Sequence, residues 1–115
     1  MEELALNVTR EEAIKISKNF PLLPTRGRVI ITVNTDELDE LDLGGAGLAE
    51  SQYVIATGPH VWDEIKPGSK VMLDLDKMSV QTGQETYEIK IDPVKVGERV
   101  YAFLYDSMIK AVNNK

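Results

Sequence analysis

The feature that most constrains this chain is an acidic, glycine-centred segment at residues 34–50, NTDELDELDLGGAGLAE. It separates two runs rich in β-branched residues, RVIITV at residues 28–33 and YVIAT at residues 53–57. Like charges at this density repel each other, and glycine adds backbone entropy that any ordered structure must overcome. Connections this long are uncommon in small domains unless they carry function. We therefore expect a functional loop between two strands.

Composition limits the classes of protein that need to be considered. A chain of 115 residues with 43% hydrophobic and 28% charged residues has room for one soluble domain with one core. Its net charge of −6 argues against a nucleic-acid binder that relies on neutralising phosphates. The absence of cysteine excludes disulfides and thiolate metal sites and fits a reducing compartment. With no apolar run near the roughly 20 residues that cross a bilayer, we expect a cytoplasmic protein without a membrane partner.

A short helix is predicted close to the N-terminus. Thr9 and Glu12 have the spacing of a capping box, in which each side chain bonds to the backbone of the other residue. Ala13 and Ile14 would form a narrow apolar stripe, and the helix should end before Pro21. A helix of this length is marginal alone, so it must dock on this domain or on a neighbouring subunit.

The remainder of the chain is typical of short strands joined by turns. Pro67 and Gly68 suit the central positions of a type II turn, and residues 58–60 (GPH) indicate a chain reversal. Strands are predicted at residues 29–33, 53–57, 70–75, around 80, 87–91 and 99–104, with residues 82–84 and 94–97 as connections. Residues 105–112 fit either one helical turn or an edge strand. This spacing indicates an all-β antiparallel barrel or sandwich.

No group of residues has the pattern of a catalytic or metal site. His60 is the only histidine, and the glycines of residues 44–47 lack the lysine and hydroxyl residue of a phosphate-binding loop. Asp74 and Asp76 would share one face of a strand, either as an acid pair or, more simply, as an exposed edge. Trp62 could be a core plug or an interface anchor. We expect no enzymatic activity and no cofactor.

The order of these motifs resembles that of the GroES-type co-chaperonins. PLLPTRGRVII at residues 21–31 resembles the opening of that family, where a proline-leucine pair and an arginine precede an aliphatic strand. Gly44 and Gly45, followed by Leu48, resemble the paired glycines and aliphatic triplet of the family's mobile loop. YVIATG at residues 53–58 resembles the strand that returns from this loop.

The likeness continues toward the C-terminus. IKPGSKV at residues 65–71 is similar to the family's lysine-x-glycine turn. VYAFLYDSMIKAV at residues 100–112 resembles the closing strand, the short turn and the final strand that pairs with the neighbouring subunit. The resemblance implies a partly open antiparallel β-barrel at residues 21–115, with a mobile loop at 34–50, preceded by a helical extension at residues 1–20.

The resemblance also implies a function and two sets of site residues. Such a chain would form a sevenfold ring that caps a GroEL-type chaperonin and closes the chamber around an unfolded client protein. The partner-binding residues implied in the loop are Leu41, Leu43, Gly44, Gly45, Ala46, Gly47 and Leu48. The residues implied at the subunit interface are Met108, Ile109, Ala111 and Val112.

The sequence departs from the family pattern in three places. The aliphatic triplet corresponds to residues 46–48 (AGL), which leaves Leu48 as the main anchor, supplemented by Leu41 and Leu43. The N-terminal extension has no counterpart in the simplest members, and the roof hairpin is reduced to residues 59–64. These differences look more like the divergent co-chaperonins encoded by bacteriophages, which act in the cytoplasm of the bacterial host.

A competing hypothesis uses the same fold without a chaperonin. The chain would then be a small β-barrel structural or assembly protein of a virion or another multisubunit shell, and residues 34–50 would be a surface loop. A ligand-binding or hydrolytic barrel has little support, because no catalytic constellation is present.

Overall fold

The structure is a computed structural model that describes residues 7–35, 48–84 and 87–113, and these residues are mostly β. The helices are α1 (Arg10–Lys18) and α2 (Leu75–Met78), and a 3-10 turn spans Asp106–Met108. The strands of this part of the chain are β1 (Arg28–Thr32), β2 (Ser51–Thr57), β3 (Lys70–Leu73), β4 (Ser79–Gln81), β5 (Tyr87–Ile89), β6 (Asp92–Val96), β7 (Arg99–Tyr105) and β8 (Ile109–Asn113). A mostly β fold is therefore confirmed, and helix α2 was not predicted.

Six strands form one antiparallel sheet in the order β6-β7-β1-β2-β3-β8, and β4 pairs with β5 as a separate hairpin. Strand β1 lies between β7 and β2, so that Ile30 is opposite Phe103 on one side and Ala56 on the other. Both faces of β1 are covered, which explains its unbroken aliphatic run, because a strand with one solvated face would alternate apolar and polar residues.

Each face of the sheet carries its own apolar core. One core contains Val29 and Ile31 of β1, together with buried residues from β2, β3, β7 and β8. The other contains Ile30 of β1 together with Val8 and Ala13 from the N-terminal region. Of the helical extension predicted at residues 1–20, the described part, residues 7–20, shares this core with the sheet, and α1 docks on its own domain; residues 1–6 lie outside the described residues.

Helix α1 begins and ends where the sequence predicts. The Thr9 hydroxyl accepts from the backbone N–H of Glu12 at 3.2 Å, and the Glu12 carboxylate accepts from the backbone N–H of Thr9 at 3.0 Å. The second bond lowers the pKa of Glu12, because it favours the charged carboxylate. The helix ends at Lys18, before Pro21. Both the capping box and the predicted end of the helix are confirmed.

The predicted type II turn at Pro67 and Gly68 is also confirmed. Gly68 has a φ of +90°, and the backbone N–H of Ser69 donates to the carbonyl of Lys66 at 2.8 Å. A Cβ at Gly68 would lie 2.8 Å from the Cγ1 atom of Ile14. The turn therefore lies directly against α1, so the absence of a side chain at this glycine matters for packing as well as for backbone conformation.

The predicted strand at residues 70–75 is wrong at its end. Strand β3 stops at Leu73, and the side chain of Asp74 accepts from the backbone N–H of Lys77 to cap α2. Asp74 and Asp76 therefore do not share a strand face as an acid pair. A short polar side chain that can cap a helix has outweighed the alternating pattern here.

The connection predicted at residues 94–97 is wrong as well. Most of it belongs to β6, which pairs along its whole length with β7. Pro93 is tolerated because β6 is an edge strand of the sheet and needs no outward N–H donor. The turn is only Gly97 and Glu98, with Gly97 at a φ of +65°.

The predicted strand at residues 87–91 ends at Ile89. Residues 105–112, predicted as either one helical turn or an edge strand, contain both, because the 3-10 turn at Asp106–Met108 precedes β8. Within the described part of the chain, neither helix has the length and apolar character that a membrane-spanning helix needs.

Candidate functional site

The two ends of the acidic segment are joined at the sheet. Thr35 and Leu48 form an antiparallel bridge, and the backbone N–H of Ala49 donates to the carbonyl of Asn34 at 3.0 Å. We call these four residues, together with Gln52, the loop base. The predicted loop at residues 34–50 is therefore anchored at both ends. The predicted partner-binding residues Leu41, Leu43, Gly44, Gly45, Ala46 and Gly47 lie outside the described residues.

A buried glutamine organises the loop base. Gln52 is fully buried, and its Oε1 atom accepts from the Thr32 hydroxyl at 2.8 Å and from the backbone N–H of Asn34 at 2.7 Å. Its Nε2 atom donates to the carbonyls of Asn34 at 2.9 Å and Ala49 at 2.8 Å. These four bonds use both donors and both acceptor positions of the amide. One side chain thus holds together the strand that leaves the sheet and the strand that returns.

The N-terminal arm, which consists of Asn7 and Val8, binds Asn34 and Thr35, the extended residues that continue the chain beyond β1 and that we call the outgoing strand. The side chain of Asn34 donates to the carbonyl of Val8 at 2.9 Å and accepts from its backbone N–H at 2.8 Å. The side chain of Asn7 donates to the carbonyl of Thr35 at 2.8 Å and accepts from its backbone N–H at 3.0 Å. Each asparagine side-chain amide therefore binds both the N–H and the carbonyl of one residue, as the backbone of a neighbouring β-strand would.

Leu48 is not a free loop side chain. It is half-buried and packs against the core on the Val29 face of the sheet, while its backbone pairs with Thr35. The sequence placed Leu48 in the loop because it follows the glycines, but its pairing across the loop cannot be read from neighbouring residues. Its role in partner binding stays a prediction.

The four residues predicted at a subunit interface lie in and before β8, which pairs with β3 of the same chain. Ile109 is buried, and Met108 and Val112 are partly buried against the same core. Ala111 is the exposed member of the set. Three of these four side chains thus stabilise their own domain, and their role in an interface stays a prediction.

Two polar contacts connect β8 to the rest of the site. The Lys110 ammonium lies 2.6 Å from the Glu50 carboxylate, next to the loop base, and this hydrogen-bonded pair raises the pKa of Lys110. The Arg10 guanidinium of α1 donates to the carbonyl of Asn113 at 2.8 Å. Strand β8 therefore contacts both helix α1 and Glu50, the residue that follows Ala49 of the loop base.

The polar residues that organise the loop base were not predicted from the sequence. A glutamine beside an aliphatic run, as in SQYVIA, is a signal for a buried polar group, but its partners cannot be identified from spacing. Of the two roles considered for Trp62, a core plug is excluded, because 56% of its surface is exposed. His60 is an exposed turn residue with a φ of +68°. Among residues 7–35, 48–84 and 87–113, no group of three or more acidic, histidine or cysteine side chains is placed to hold a metal ion.

No protein-family model matches this chain, and no curated protein is significantly similar to it in sequence. The function therefore has to be inferred from the chain's own geometry.

Proposed function

We propose that this chain is a co-chaperonin lid of the GroES type, which binds a GroEL-type chaperonin ring and closes its chamber around an unfolded client protein. The observation that carries the proposal is the closed loop base between β1 and β2. It fastens both ends of a long acidic, glycine-rich connection to a rigid sheet. A docking loop needs this combination of a fixed support and a segment rich in glycine and charge.

The proposal includes a partly open barrel as the form of the sheet. Its support is the core on the Val29 face, which draws buried side chains from β7, β1, β2, β3 and β8. A flat sheet of this width would need a second layer of similar size to cover these residues, and the hairpin of β4 and β5 is far smaller. A strongly curled sheet covers them with its own strands.

Within the loop, we propose that Leu41 and Leu43 carry the docking contacts. Leu48 packs partly against the domain's own core, so we assign the docking contacts to the other two leucines of the predicted partner-binding set. A buried leucine contributes about 1.5 to 3 kcal/mol before the cost of ordering, so a single loop binds weakly. Several loops on one ring bind strongly, because every contact after the first is intramolecular.

The two edges of the six-stranded sheet favour assembly through β8. Strand β6 carries Pro93, and a proline on an edge strand opposes pairing with another strand. Strand β8 carries no proline, and in the described part of the chain its second edge has no strand beside it. We propose that this backbone edge joins the subunits of a homo-oligomer, a heptamer in the GroES arrangement, while the side chains of β8 stabilise the domain.

Native mass spectrometry at micromolar concentration tests the assembly. We expect a sevenfold ring, and a monomer or dimer would contradict the lid and leave the shell protein as the better explanation.

Association with a GroEL-type ring in the presence of ATP tests the loop. The variant Leu43→Asp should abolish co-sedimentation with the chaperonin and leave the ring intact, because it places a charge on a docking side chain. The matched control is Val100→Asp, which adds the same charge at a position that is 47% exposed and opposite Lys95. Unchanged binding of Leu43→Asp, or equal loss in both variants, would remove Leu43 from the mechanism.

A further inference from the structure

We infer that the N-terminal arm is a positioning element for the acidic segment, with Asn7 and Asn34 as the residues that fix where the outgoing strand points. The role of the arm in docking rests on the proposed function, whereas its effect on the direction of the outgoing strand does not.

The outgoing strand is held along both of its edges. On one edge, the N–H and carbonyl of Asn34 are bound by the side chain of Gln52, and the carbonyl also accepts from Ala49. On the other edge, the N–H and carbonyl of Thr35 are bound by the side chain of Asn7. Successive residues of an extended chain direct their backbone groups to opposite sides. The arm therefore takes the place of a neighbouring strand at Thr35, the last described residue before position 36.

The arm is itself fixed by the sheet. Val8 is 6% exposed and lies in the same core as Ala13, which is fully buried. The capping box at Thr9 starts α1 immediately after the arm. Asn34 is 8% exposed, so its two bonds to Val8 are shielded from water. The arm is therefore fastened by the packed helix as well as by its hydrogen bonds.

Fixing the direction of a loop has a consequence for binding. The ends of a docking segment must be ordered in the complex, and order that exists before binding does not have to be created during binding. Under the proposed docking function, the arm thus lowers the entropic cost of docking.

Amide hydrogen exchange of the full chain, read residue by residue with NMR, tests the inference directly. The variant Asn7→Ala should reduce the protection of the Thr35 amide by about tenfold, the effect of losing roughly one net hydrogen bond. Protection of the Ile30 amide in the sheet should fall clearly less than that of Thr35, and the urea midpoint should fall only slightly, because the Asn7 bonds are exposed. The matched control is Asn19→Ala, an exposed asparagine at the other end of α1, which should leave Thr35 as protected as in the wild type.

A second variant, Asn34→Asp, separates positioning from general stability. The carboxylate can still accept from Val8 N–H, but its other oxygen faces the Val8 carbonyl, so protection of Thr35 and Ala49 should fall at neutral pH. Burial raises the pKa of such a carboxyl group, and once protonated it donates to the Val8 carbonyl again. After correction for intrinsic exchange rates, the protection of Thr35 and Ala49 in Asn34→Asp should therefore increase on acidification. The wild type should show no such increase.

Unchanged protection of Thr35 in both variants would overturn the inference, as would equal loss in the Asn19 control. None of these measurements requires a chaperonin. A chain that shows local loss of protection but forms no ring would support the arm's role and contradict only the proposed lid function.

Discussion

Helix α1 and the loop base lie on the same central strands, but they are held there by different interactions. The helix is held by burial of Ala13 and by Phe20, whose ring packs edge to face on Tyr101 with 5.0 Å between centroids. The loop base is held by the amide groups of Gln52 and Asn34. Apolar contacts are non-directional, whereas hydrogen bonds fix distance and angle.

This difference matches what each region has to do. A helix that covers a face of the sheet tolerates small shifts, because buried area changes little when it slides. A loop base has to keep its two strands in one register, and a shift would leave buried polar groups without partners. We therefore expect substitutions at the loop base to cost more stability, for a similar change in volume, than substitutions beneath the helix.

The largest effect should come from Gln52→Leu. The substitution keeps the approximate volume but removes the acceptor of the Thr32 hydroxyl and the Asn34 N–H, and one donor to each of the carbonyls of Asn34 and Ala49. This loss should lower the free energy of unfolding by about 3 to 5 kcal/mol. Urea denaturation measures this change. Gln81→Leu, at an exposed position of β4, is the control and should stay within about 0.5 kcal/mol of the wild type. A fully stable Gln52→Leu variant would show that the comparison is mistaken.

An intermediate effect is expected from Phe20→Ala. The side chain is half-buried, so its loss should cost about 2 kcal/mol, less than truncation of a fully buried phenylalanine. The same urea titration measures it, and exchange of the Thr35 amide should remain slow under native conditions. Phe20→Leu should recover most of the loss, because it restores apolar volume. Fast exchange of the Thr35 amide in Phe20→Ala would mean that helix α1 and the loop base are not held independently.

The smallest effect is expected from the ionisation of Tyr101, whose ring packs against Phe20. Burial raises the pKa of the Tyr101 phenol, and the charge of Arg99 opposes that rise only in part. Because the folded state holds the proton more tightly, this contribution is complete below the unfolded value of about 10 and is lost as the pH rises through the folded value. The thermal midpoint should therefore fall more steeply between pH 9 and 11 in the wild type than in Tyr101→Phe. Parallel curves would contradict the prediction.

Features set by residues close in sequence could be predicted. The capping box of Thr9 and Glu12 and the turn at Pro67 and Gly68 each depend on contacts within about four residues, and both are confirmed. The aliphatic runs of β1 and β2 were predicted for a similar reason, because β-branched residues favour extended backbone.

Features set by distant residues could not be predicted. The partners of Gln52 include Asn34, eighteen positions away, and Asn34 binds Val8 across twenty-six. Strand β6 was missed because proline and glycine usually end a strand, and only the sheet order shows that Pro93 lies on an edge. Leu48 was interpreted as a loop residue because its contact with the core depends on a bridge to Thr35.

The closed loop base also affects how this chain can vary. The described contacts of Thr35 and Leu48, with each other and with Asn7 and the core, lie outside positions 36–47. Doubling the length of a flexible connection costs only about 0.6 kcal/mol. We therefore expect insertions, deletions and substitutions at the twelve positions 36–47 to change the packing of the sheet little. Under the proposed lid function, partner specificity could then change at these positions while Gln52, Asn34 and Asn7 stay the same.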